Sequence, residues 1–88
     1  MSIFVVLAPP NNQERVGQAL ASTFHGKFLP TWPGQWLLSS EGTAKDVCDG
    51  LGITGGVIGT AMVFTVSGYY GHANNAFWEW IKANWGNK

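Results

Sequence analysis

The sequence predicts a small α+β domain whose elements run β-α-β-β-α-β and end in a further helix. Three observations carry that expectation. Short β-branched and aromatic runs stand at residues 3–8, 27–32, 35–40 and 61–67. Two segments of helical period, at 11–24 and 43–51, separate the first run from the second and the third from the fourth. Proline and glycine punctuate the joins.

Ile3-Phe4-Val5-Val6-Leu7-Ala8, closed by Pro9-Pro10, reads as a strand buried on both faces and therefore central. Asn11 or Asn12 is expected to cap the first helix, with Glu14 in its first turn, where a carboxylate suits the helix dipole. Val16, Ala19, Leu20 and Thr23-Phe24 supply its inner face, and His25-Gly26 stops it. The runs 27–32 and 35–40 flank Pro33-Gly34, a pair suited to the central positions of a type II turn, so they form a hairpin. Pro30 cannot donate to a ladder and places the first run at an edge. Thr43 and Asp46 have capping-box spacing at the start of the second helix, with Asp in place of Glu. Ala44, Val47, Cys48 and Leu51 line that helix's inner face, and Gly52 ends it. A glycine-rich loop over 54–59 leads into the run 61–67, which reads as a buried strand. Asn74-Asn75 caps the last helix, 76–85, with Phe77, Trp78, Ile81 and Trp85 on one face and Trp80 on its flank.

This order is that of the split βαβ, ferredoxin-like arrangement: an antiparallel sheet with two helices on one face. The other sheet face has no helix of its own, so either the aromatic terminal helix or a second subunit must cover it. A single domain spanning 1–88 is expected.

Composition narrows the function. Five basic residues balance five acidic ones, charged residues make up 11% of the chain, and aromatics reach 14% with five tryptophans. That balance argues against a disordered tail and against a polyanion-binding module, so nucleic acid is not an expected partner. One cysteine excludes an internal disulfide framework. A chain of this size buries only about 60% of its unfolded surface. Surplus apolar surface is therefore expected to be buried in a homodimer or against an unidentified protein partner. The stretch 50–78 lacks Asp, Glu, Lys and Arg, but glycines and threonines interrupt it. Its continuous apolar part falls short of the ~20 residues a span needs. No membrane span is expected, and a cytoplasmic protein is favoured.

Motifs of catalysis are missing. Gly50-Leu51-Gly52-Ile53-Thr54-Gly55 matches G-x-G-x-x-G but follows a helix and precedes a strand, the reverse of what a phosphate site at a helix N-terminus needs. His25, His72 and Cys48 have no zinc-site spacing, and no cofactor is expected. Cys48 reads as a small core residue, and Asp46 and Asp49 as a solvated helix surface. No G-x-S-x-G elbow is present. Arg15 near a helix start could hold an anion, without the glycine-rich cradle such a site uses. Phe4 and Trp36 could stack bases, but the third strand lacks the basic and aromatic pattern of RNA-binding sheets. Gly68-Tyr69-Tyr70-Gly71-His72 combines amphipathic rings with a group that titrates near neutrality. Trp36, Tyr69, Tyr70, His72, Trp78 and Trp85 are thus the candidate ligand or interface residues.

The order of elements over the whole chain and the run Pro33-Gly34-Gln35-Trp36-Leu37 resemble those of small bacterial ferredoxin-like proteins, the CRISPR-associated small endoribonuclease-like dimers and their SinR-like relatives. The resemblance implies the fold and a dimer. That family carries a metal-binding aspartate at the end of its first strand, whereas Leu7-Ala8-Pro9 stands here without a carboxylate. The resemblance therefore does not extend to metal-dependent activity. The expected function is a dimerisation or interaction module without catalytic machinery. The alternative is an enzyme or small-ligand-binding protein of the dimeric α/β-barrel type, its apolar pocket lined by Tyr, Trp and His.

Overall fold

Strand β1, Ser2–Leu7, lies at the centre of the sheet because both of its faces are apolar, and Ile3, Phe4 and Val6 are buried. The structure, a computed structural model, describes residues 2–56, 58–68, 71 and 75–85. A single 3-10 turn, Pro10–Asn12, follows β1 and leads into helix α1, Gln13–Thr23. The hairpin strands are β2, Phe28–Trp32, and β3, Gln35–Ser40. Helix α2 spans Ala44–Leu51, strand β4 Met62–Val66 and helix α3 Asn75–Asn84. The result is a mixed α+β fold with a four-stranded sheet in the order β2-β3-β1-β4, all of whose pairs are antiparallel.

Turn chemistry acts as the residues require. Gly34 takes φ 83°, and a Cβ there would stand 2.7 Å from the Ala8 carbonyl oxygen, so only glycine fits between the hairpin turn and the end of β1. The capping box of α2 is complete: the Asp46 N–H donates to Thr43 Oγ1 at 3.2 Å and the Thr43 N–H to Asp46 Oδ2 at 2.9 Å. Gly52 closes the helix in the left-handed region. Thr43→Ala is expected to lower stability by about 1 kcal/mol, read as a fall in the urea midpoint at unchanged slope. A parental midpoint would show that the cap carries nothing.

Two expectations need correction. Asn12 precedes α1 but its side chain does not cap it. It is buried, and its Nδ2 donates to the Thr60 carbonyl oxygen at 2.8 Å, tying the start of α1 to the lead-in of β4. An inward amide satisfied by a distant carbonyl competes successfully with the cap, because a buried donor left unpaired costs about 1–3 kcal/mol. β4 is not a buried strand either. It is an edge strand, with Met62, Phe64 and Thr65 exposed.

The sheet has two unlike faces. One carries Phe4 and Val6 from β1 with Trp36 and Leu38 from β3, and α1 and α2 cover it with Val16, Leu20, Val47 and Leu51. The other face has its own cluster, in which Ile81 of α3 packs with Ile3 and Leu37. Trp78, Trp80 and Trp85 lie against that cluster together with Val5, Leu29 and Val66. The terminal helix thus covers the second face in part.

Candidate functional site

Antiparallel register lays the residues of the second face out in rows. Trp32 pairs with Gln35, Gln35 with Leu7, and Leu7 with Met62, so these four side chains form one row across all four strands. The next row runs Leu29, Leu37, Val5 and Phe64. The cluster around α3 takes in Leu29, Leu37 and Val5, but neither the first row nor Phe64. Trp32, Met62 and Phe64 consequently remain 57%, 53% and 51% exposed. The Phe77 ring lies 5.8 Å from that of Trp32, so the aromatic end of α3 borders the open row.

A groove of about 570 Å³ runs along this row, with Leu7 and Gln35 in its floor, Trp32 and Pro33 at one end and Ala61 and Met62 at the other. It is open to solvent along its length. In its floor, Gln35 Nε2 donates to Thr31 Oγ1 at 3.0 Å. The groove therefore presents apolar surface without converging polar groups, which suits the shape of another apolar surface better than the chemistry of a small polar substrate.

The residues singled out in the sequence are dispersed. Trp36 is buried under α1, 7% exposed, and a Cβ at Gly17 would lie 3.5 Å from its Cζ2. Only its rim reaches a second open groove beside the hairpin turn, shared with Pro10, Gln13 and Pro30. Trp78 and Trp85 pack against the second cluster and serve the docking of α3. Tyr69, Tyr70, His72 and the expected cap Asn74 lie outside the described residues. Trp32, Met62 and Phe64 were not singled out from the sequence. The alternation of Met62, Phe64 and Val66 was the available signal, and it marks a shared face without telling whether that face is covered.

Cys48 and Asp49, adjacent on α2, have shifted titrations. Burial pushes the Cys48 thiol up, with Asp49 adding to the effect, so it stays protonated at neutral pH. Thr54 Oγ1 donates to the Asp49 carboxylate at 2.6 Å and Lys45 Nζ at 3.1 Å, and these bonds hold Asp49 below the usual carboxylate range. A depressed carboxyl stabilises the fold above its ordinary pKa, and that contribution is lost as pH falls through the lowered value. An NMR titration of Asp49 is expected to place its midpoint below that of an ordinary aspartate. A normal midpoint would show that neither bond persists in solution.

Among the described residues, no three His, Cys, Asp or Glu side chains come together as metal ligands, and no helix is long and apolar enough to cross a membrane. What the fold and the groove define is a small α+β domain with one sheet face partly bare. Comparison of the chain with protein-family profiles, curated proteins and solved structures finds no match.

Proposed function

We propose that this chain is a non-enzymatic interaction module of ferredoxin-like fold, and that its first partner is a second copy of itself. The fold reading is supported by the β-α-β-β-α-β order and by the position of β1 between β3 and β4, with α1 and α2 on one face. The observation that carries the function is the grouping of Trp32, Met62 and Phe64 on the part of one sheet face that α3 leaves bare. Side chains of this size leave on the order of 300 Å² of apolar surface in water, comparable to the largest patch of a typical monomer, which is often functional. The partner's chemistry follows from charge. Neither the bare face nor the stretch 50–78 carries an Asp, Glu, Lys or Arg, so nothing there repels a second copy or selects an oppositely charged protein. The resemblance noted above, in the order of elements and the run 33–37, implies a dimer as well.

Light scattering at micromolar concentration is expected to report about twice the 9.5 kDa of the chain. A monomer across the accessible range would overturn the reading. The ligand-binding alternative, of the dimeric α/β-barrel type, draws on the groove, whose volume falls in the range of small-molecule sites. Its open shape and the absence of converging polar groups among the described residues place it second.

A further inference from the structure

We infer that β4 is the seam of that dimer: two copies join their β4 strands edge to edge, antiparallel, about a twofold axis through Phe64, to give one continuous eight-stranded sheet. This seam rests on the self-association proposed above; of the three exposed side chains it joins Met62 and Phe64 to the partner and leaves Trp32, on the opposite edge, outside the join.

The two edges of the sheet are treated differently. β2 is blunted by Pro30, which has no N–H to offer, and by a register slip between Pro30 and Trp32. β4 reads Met62-Val63-Phe64-Thr65-Val66, with neither a charge nor a proline, and no strand among the described residues pairs with its outer side. An uncharged strand of high β propensity with an open ladder is a template for another strand.

The outward-facing groups can be identified. The Ala8 N–H donates to the Gly34 oxygen, so the even residues of β1 turn their backbone groups toward β3. The Ser39 N–H donates to the Lys27 oxygen, away from its β1 neighbour Ile3, in agreement with that phase. Ile3, Val5 and Leu7 then bond toward β4, where they face Val66, Phe64 and Met62. The backbone groups of Val63 and Thr65 alternate to the other side and point outward.

A twofold through Phe64 uses these groups fully. Val63 of each copy falls opposite Thr65 of the other, and each such pair exchanges two hydrogen bonds. On the bare face Phe64 meets its own copy in a non-hydrogen-bonded pair, the arrangement in which side chains approach closest, and Met62 meets Val66. No like charges oppose each other anywhere along the seam. A five-residue seam lies at or below the low end of specific interfaces, so a weak dimer is expected.

Thr65→Pro tests the seam. It removes one outward donor while leaving the β1 ladder intact, a substitution that an edge strand tolerates. Lys82→Ala is the counterpart, altering an exposed side chain of α3 away from both the bare rows and the β4 edge. With a dimeric parent, a monomeric Thr65→Pro and a dimeric Lys82→Ala at the same concentration are expected, circular dichroism reporting that both are folded. A dimeric Thr65→Pro would overturn the seam and leave self-association standing, whereas a monomeric parent would overturn both. Should Thr65→Pro fail to fold, amide exchange in the parent decides. Val63 and Thr65 are expected to slow by about tenfold or more between dilute and concentrated solution while Phe64 holds constant. Equal exchange at both concentrations would overturn the seam.

Discussion

Phe4→Ala is expected to lower the unfolding free energy by about 3–5 kcal/mol. Phe4 is 0% exposed on the central strand, beside Leu38 of β3 and beneath α1 and α2. Its removal takes away the transfer energy of a ring and leaves a cavity among side chains held by strands on both sides, so little can collapse into the space. For a domain of this size the loss is comparable with the entire stability, on the order of 0.1 kcal/mol per residue. Guanidinium titration should show a large fall in midpoint, or a variant already unfolded in buffer. Phe64→Ala is the control. The residue type is the same and the strand adjacent, but the ring is half exposed on an edge, and in dilute solution its loss is expected to cost about 1 kcal/mol or less. Equal costs at the two positions would show that the first cluster is not the main core.

The two phenylalanines also show what a sequence reveals here and what it hides. The strand at 3–8 is recognisable as central because a run apolar at every position has to be covered on both faces. The complete capping box at Thr43 and Asp46 and the turn at Pro33-Gly34 are local chemistry, and local chemistry is legible in a sequence. β4 has a similar composition and sits at an edge, because sheet order is decided by how the helices cross over and not by the strand's own residues. Asn12 illustrates the same limit on a smaller scale. Its spacing suits a cap, yet the acceptor it finds lies 48 positions away at Thr60. For the site, the surplus of aromatic side chains was legible as a quantity, but its distribution was not. Trp36 goes into the core and Trp78, Trp80 and Trp85 go to the docking of α3, which leaves Trp32 in the open. Periodicity assigns residues to faces; only the arrangement of the other elements determines which face stays bare.

The same division predicts what happens when α3 is loosened. Ile81 is 7% exposed and packs with Ile3 and Leu37 on the second face. Lys82 is its neighbour in the helix, exposed in the last turn, where its charge favours the helix dipole only slightly. Ile81→Ala is expected to cost about 2–5 kcal/mol, and Lys82→Ala about 0.5 kcal/mol or less. Because alanine raises helix propensity at both positions, the contrast isolates docking from helix formation. A second consequence separates docking from mere stability. If α3 lets go, Ile3, Leu37 and Val5 join Trp32, Met62 and Phe64 in one apolar surface across the sheet. Ile81→Ala should therefore bind a hydrophobic dye and form species larger than the parent's well below its unfolding midpoint, whereas Phe4→Ala should do so only as it unfolds. Differential scanning and light scattering on the same samples measure both effects. If Ile81→Ala and Lys82→Ala melt together and neither changes in mass, α3 is not docked, and the bare face extends over the whole sheet.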